Sequence, residues 1–291
     1  MANYETSAQN PWNFAAQLPK ELEDEARLGL IAFLEEIDAT LEAALAKKDK
    51  RVLEEFHEIY NFSRFKPAWM EFIIPSLGRG DVQIELHDGL VKIEETGIPS
   101  LWRMQMGQND AFVLGRVPLC VRHEANLGEE TIGKMVNENA DIFAAPFILE
   151  ELKEALTKVD YETLPEEPVY MVELNRQPMS PGDSRALLST LGKGNIEVRI
   201  AGFAESKLYR TKVRGLWHSK ILNNAGKELL DAYVCAAIPP EVAAPTESFT
   251  DARMKIAETL EWLRADMNRQ KTETKLDDNV MDYAKRLMEG I

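Results

Sequence analysis

Residues 77–84 read Leu-Gly-Arg-Gly-Asp-Val-Gln-Ile, and residues 191–198 read Leu-Gly-Lys-Gly-Asn-Ile-Glu-Val. All eight positions are identical or closely similar. The likeness continues downstream, where Leu101-Trp102 corresponds to Leu216-Trp217. Cys120 follows Trp102 at the same spacing at which Cys235 follows Trp217, which predicts matching places for the two cysteines. Internal self-similarity of this kind constrains a fold more than any local propensity. The chain reads as a duplicated module, with copies over residues 76–145 and 191–268.

Both copies share one grammar. A Gly-x-Gly turn releases a strand in which Val82, Ile84 and Leu86 alternate, or Ile196, Val198 and Ile200. A second strand follows (90–94; 208–211), then the tryptophan strand. Turn clusters at Gly107–Asp110 and Asn223–Gly226 return the next strand antiparallel. Each copy then runs into a helix. Ile132, Val136, Ala140 and Phe143 share a face after the first, and Ile256, Leu260, Leu263 and Met267 after the second, which Thr250 is expected to cap. The fold class is α+β, two small antiparallel sheets each followed by a helix.

The flanks are helical. Residues 1–17 read as a flexible tail. Over 18–75, Leu22, Ala26, Leu30, Phe33, Ile37, Leu41 and Ala44 mark an amphipathic helix to about Lys48. A shorter helix is expected with Val52, Leu53, Phe56 and Ile59 inward. The aromatic run from Phe62 to Ile74 reads as core leading into the first sheet. Residues 146–190 form a helical linker with a helix over 146–159, a strand near Val169–Val172 and a helix opened by Ser180-Pro181-Gly182-Asp183. Residues 269–291 are read as a separate C-terminal helix, entered through a flexible charged connection at 271–278.

Composition narrows the function. The 291 residues carry a formal net charge of −15. Non-specific nucleic-acid binding needs surplus Lys and Arg, and this balance argues against it. An anionic membrane surface is disfavoured for the same reason, and a basic partner would suit it. No stretch reaches the ~18 apolar residues of a membrane span. The first residues show neither a basic nor an apolar leader region, and with two cysteines the expectation is a reducing cytoplasm.

Catalytic signatures are not found. The paired glycines stand before a strand, whereas a phosphate loop follows one and opens a helix, so Gly78, Gly80, Gly192 and Gly194 read as turn residues with positive φ. Cys120 precedes His123, but nothing equivalent follows Cys235, so a duplicated metal site is not indicated. No catalytic, metal or cofactor residue is assigned, and the chain is expected not to be an enzyme. The candidate binding residues are Trp102, Trp217, Cys120 and Cys235. The tryptophans read first as core anchors and alternatively as aromatic contacts on a shared surface.

The repeated segments also carry a resemblance. Residues 191–198, Gly215-Leu216-Trp217-His218 and Leu230-Asp231-Ala232-Tyr233-Val234-Cys235-Ala236-Ala237-Ile238-Pro239 resemble the C-terminal region of the HupH/HyaF-type hydrogenase expression/formation proteins. Ser180–Leu188 and the stretch from Ala252 to Leu263 are similar to that family too, and the first copy resembles its first half. The match covers roughly residues 70–265. The resemblance implies an accessory protein of [NiFe]-hydrogenase maturation. Such a chaperone would bind the immature iron–sulfur small-subunit precursor before twin-arginine export, beside a thioredoxin-like partner. The family brings no established catalytic residues. The alternative is a metal or cluster carrier using Cys120 and Cys235.

Overall fold

The computed structural model describes residues 18–135, 141–202 and 204–289. The predicted tail at 1–17 lies outside them, as do Val136 and Ala140. The chain opens with α1 (Lys20–Ala46) and α2 (Lys50–Glu54), then β1 (His57–Asn61), two single 3-10 turns and α3 (Met70–Leu77). Four strands follow: β2 (Val82–Leu86), β3 (Val91–Glu95), β4 (Leu101–Gln105) and β5 (Ala111–Gly115). After α4 (Leu119–Asn126) and α5 (Ala145–Leu156) come β6 (Tyr170–Glu173) and α6 (Pro181–Leu191). The second set of strands is β7 (Ile196–Ile200), β8 (Glu205–Arg210), β9 (Leu216–Leu222) and β10 (Glu228–Cys235), and α7 (Ser248–Glu289) closes the chain.

Among the described residues, ten strands join one antiparallel sheet in the order β1-β5-β4-β3-β2-β7-β8-β9-β10-β6. The two meanders meet at β2 and β7, so the chain builds one continuous sheet. The register is symmetric about the pair Ile84–Val198, with Val82 opposite Ile200 and Leu86 opposite Ile196. Both octapeptides therefore sit at the centre, reading in opposite directions. An earlier strand closes each outer edge: β1 pairs with β5, and β6 with β10.

Alternation along the strands sends side chains to two faces. One face is a single apolar cluster across both halves, with Ile84, Trp102, Val198 and Trp217 at its centre and Val121 of α4 packed on it. The other face is covered in two pieces. Phe33 of α1, Ile73 of α3 and Phe249 of α7 lie over Leu101, Phe112 and Leu114. Ile148 and Leu152 of α5 and Leu187 of α6 lie over Leu216, Tyr233 and Cys235.

The glycine pairs divide the work differently from expectation. Gly78 and Gly192 end α3 and α6 at φ 71° and 59°, the left-handed region that favours glycine. Gly80 and Gly194 are outside the positive-φ set; each instead lets a neighbouring strand approach. A Cβ would meet the Thr96 carbonyl oxygen at 2.8 Å in the first case and the Thr211 carbonyl oxygen at 2.6 Å in the second.

Several other expectations are corrected. The apolar spacing Val52-Leu53-Phe56-Ile59 belongs to two elements, because the helix stops at Glu54 and His57–Asn61 joins the sheet edge, leaving Ile59 exposed. The aromatic run does pack in the core, as expected, and reaches β2 by way of two 3-10 turns and α3. Residues 127–135 are not helical; Glu129 bridges to Val213 instead. The charged stretch 271–278 continues α7 without a break, and Thr250 lies inside its first turn, so no separate C-terminal helix begins at 269. The cysteines do not match. Trp102 is opposite Val113 and Trp217 opposite Val234, so Cys235 corresponds to Leu114, whereas Cys120 lies in α4. The β9–β10 hairpin is the longer one, with strands of seven and eight residues against five and five, and this makes the equal spacing accidental.

Candidate functional site

The residues 216–222 and 228–235 place His218, Lys220, Asp231 and Tyr233 on the face that carries α5 and α6, because Trp217 and Val234 point to the other. Register then assembles them. His218 is directly opposite Tyr209 on one side and Tyr233 on the other. The Tyr233 ring stacks on the imidazole at 4.7 Å between centroids and 28° between planes. The Tyr209 ring meets it edge-on at 4.8 Å.

Both imidazole nitrogens are engaged. The carboxylate of Asp231 can only accept, so His218 Nε2–H donates to Asp231 Oδ1 at 2.5 Å. Nδ1 is then the acceptor for the Tyr209 hydroxyl. Lys220 Nζ reaches the second carboxylate oxygen of Asp231 at 2.7 Å and Glu228 Oε2 at 3.2 Å. Burial pushes the Asp231 carboxyl up, but the hydrogen bonds from His218 and Lys220 outweigh it and hold it below the usual range. Burial lowers Lys220, and the two carboxylates more than compensate, so its ammonium is held above its ordinary value. Burial raises the Tyr209 and Tyr233 phenols.

This polar line forms one wall of a cleft of about 410 Å³, whose other wall is Met179, Leu187 and Leu188. The imidazole itself is buried and fully partnered. What the cleft offers a visitor is the Tyr209 side chain, the Lys220–Asp231–Glu228 group and an apolar wall. That is the equipment of a binding surface, and His218 acts as the buried pin that orients Tyr209.

The α5–α6 pair that roofs this half is fastened by one carboxylate. Ser180 caps α6 by accepting from the Asp183 amide at 3.0 Å, while Asp183 accepts from the Ser180 amide at 2.9 Å. The other oxygen of Asp183 accepts from the amides of Phe143, Ala144 and Ala145 at 2.7, 2.9 and 2.9 Å, which start α5. Burial opposes this charge, but the main-chain donors of Ala145, Ser180 and Phe143 hold the carboxyl down to about 2.

The four candidate binding residues are not brought together as one surface. Trp102 and Trp217 are wholly buried. Their indole N–H groups donate to the carbonyls of Gly115 at 2.9 Å and Ala236 at 3.1 Å, so both anchor the core. Cys120 packs beside Met104 on the tryptophan face, and Cys235 lies on the opposite face under α5. Burial raises both thiols, Cys235 up to about 12. Among the described residues, no group of three or more His, Cys, Asp or Glu side chains could hold a metal ion. Among them, too, no helix is long and apolar enough to cross a membrane.

The chain is thus one continuous antiparallel sheet with helices on both faces and a buried Tyr–His–Asp line in its second half. Residues 142–263 match the family model described as HupH hydrogenase expression protein, C-terminal conserved region. This match and its curated relatives make the chain similar to the hydrogenase expression proteins over that region. The chain is similar to hydrogenase-1 operon protein HyaF of Escherichia coli (strain K12), 25% identical over 201 residues, or 66% of this chain and 68% of that one. It is similar to hydrogenase expression/formation protein HupQ of Azotobacter chroococcum mcd 1, 24% identical over 80% of this chain and 81% of that one. Among solved structures, hydrogenase expression protein HupH from Thiobacillus denitrificans ATCC 25259 aligns at 26% identity with a TM-score of 0.35, over 40% of this chain and 94% of that one.

Proposed function

We propose that this chain is an accessory protein of [NiFe]-hydrogenase maturation, a non-catalytic chaperone that binds the immature iron–sulfur small subunit in the cytoplasm before twin-arginine export. The observation that carries the reading is the match of residues 142–263 to the HupH C-terminal conserved region. The relatives' names, hydrogenase expression/formation proteins, support a role in assembly. The site supports binding over catalysis, because the imidazole with the geometry of a base is buried and spent on Asp231 and Tyr209. The net charge of −15 suits a basic partner and would speed encounter with it. A thioredoxin-like protein is the second partner this reading expects. The carrier alternative finds less support, since the two thiols lie on opposite faces of the sheet.

An anaerobic pull-down from a hydrogenase-producing host, with metal analysis of the eluate, tests it. Recovery of the small-subunit precursor on metal-free bait is the expected result. Stoichiometric metal without a subunit would overturn the chaperone in favour of the carrier.

A further inference from the structure

The sheet ends at β6, and among the described residues nothing pairs with its outer edge. Within the strand only Glu173 is charged, and it is paired with Arg176, so the central positions carry none of the lysines that usually protect such strands. Tyr170 is 50% exposed and Met171 40%. Pro165 and Pro168 lie just upstream and have no N–H to offer, so pairing is confined to the strand itself.

A helix stripe overlooks this edge. Phe147, Glu151 and Glu154 follow one another at four and three residues on α5 and so share a face. Phe147 is 77% exposed. Its carboxylates face β6: Glu151 Oε1 accepts from the Tyr170 hydroxyl at 2.5 Å, Glu154 borders the same cavity as Tyr170, and Phe147 lies on the turn before Glu151. Glu154 is ion-paired with Lys158, whereas Glu151 has no lysine or arginine at ion-pair distance among the described residues. Beside the strand, a cavity of about 370 Å³ is lined by Cys235 and Ala237 and bordered by Glu151, Glu154 and Asp160 against the single lysine Lys158. Apolar surface, free main chain and surplus carboxylate thus converge on one edge.

We propose that β6 is a docking edge for an extended segment of a partner protein. The segment adds to β6 as a further strand, setting an apolar side chain against Phe147 and a lysine or arginine against Glu151 and Glu154. Main-chain hydrogen bonds supply the grip and the alternate side chains the choice of segment. A second copy of this chain is the wrong occupant. Antiparallel β6–β6 pairing would bring the Glu151 and Glu154 stripes of two chains, each of net charge −15, against each other. The proposal names a surface and the chemistry of its partner, and it stands apart from whether that partner is a hydrogenase subunit.

The test uses the full-length protein and a fluorescein-labelled peptide of alternating Lys and Val, read by fluorescence anisotropy and by hydrogen exchange. We expect the peptide to bind, a Glu–Val peptide not to bind, and the exposed double variant Glu151→Lys/Glu154→Lys to bind the Lys–Val peptide at least about tenfold more weakly. Peptides N-methylated on alternate residues, made in both registers, separate strand addition from mere charge attraction: one register must lose binding. Added amide protection should fall on β6, with β1 as the unaffected control edge. No binding of the Lys–Val peptide, equal binding by the double variant, binding by both N-methylated peptides, or protection away from β6 would each overturn the proposal. So would concentration-dependent dimerisation in sedimentation that Met171→Lys abolishes, since the edge would then belong to a second copy. A wild-type protein that binds the peptide but never captures the small-subunit precursor would leave the edge standing and remove the client.

Discussion

Ile84 faces Val198 across the middle of the sheet, and the five strands on each side of that pair answer one another in order. Both side chains are wholly buried in the cluster that also holds Trp102 and Trp217. The halves therefore share a core, and the seam between them is as dry as the interior of either.

This arrangement predicts that damage at the seam is felt in both halves. Val198→Ala should cost about 2 kcal/mol. Hydrogen exchange should show β4–β5 and β9–β10 losing protection together. Loss confined to residues 191–268 would mean that the halves unfold separately.

The Asp183 carboxylate predicts an acid-sensitive term in stability. Its folded-state value, about 2, lies below the ordinary aspartate value of about 4. The contribution is therefore complete above pH about 4 and is lost as pH falls toward 2. Asp183→Asn should destabilise by about 2 kcal/mol at pH 7, and the gap from wild type should close on acidification. Urea unfolding of both proteins at pH 7, 4 and 3 measures this; a gap that stays constant would refute the assignment.

The tyrosine–imidazole–carboxylate line predicts graded losses. Tyr209→Phe leaves His218 Nδ1 buried without its donor and should cost about 1 kcal/mol. Asp231→Asn removes the charge that both His218 and Lys220 address and should cost about 2 kcal/mol or more. Because the Asp231 carboxyl is held below its usual value, this second loss should fade as pH drops below about 4. Denaturation midpoints at pH 7 and pH 3 check both statements.

The tryptophans and cysteines should behave as core. Trp102→Phe and Trp217→Phe should each destabilise by about 2 kcal/mol while leaving client affinity unchanged. Cys235 should react with a disulfide reagent at pH 8 only after unfolding, given a thiol held near 12. Rapid reaction of the native protein at Cys235 would show the thiol to be reachable.

Much of the framework is legible in the sequence because it is local. The alternation of Val82-Ile84-Leu86 marks a strand without help from elsewhere, and Ser180 with Asp183 announces a capping box. The three-and-four spacing from Leu22 to Ala44 gives α1 almost to its end. What fails is what depends on partners. His57–Asn61 is a strand only because β5 pairs with it, and its residues carry a helical spacing of their own. The site is not legible in the sequence for a related reason. Tyr209, His218 and Asp231 are scattered along the chain and meet through the register of three strands. The available signal is parity: His218 and Lys220 fall on the face opposite Trp217, and Asp231 and Tyr233 on the face opposite Val234.

Asp183 also has a mechanical consequence. The first turns of α5 and α6 hang from a single carboxyl group, as two rafters hang from one pin. The stripe that overlooks β6 is on one rafter and the apolar wall of the Tyr209 cleft on the other. Neither can pivot at its root without pulling on the pin that fixes the other, so the outer border of the sheet and the hollow beside Tyr209 share one frame.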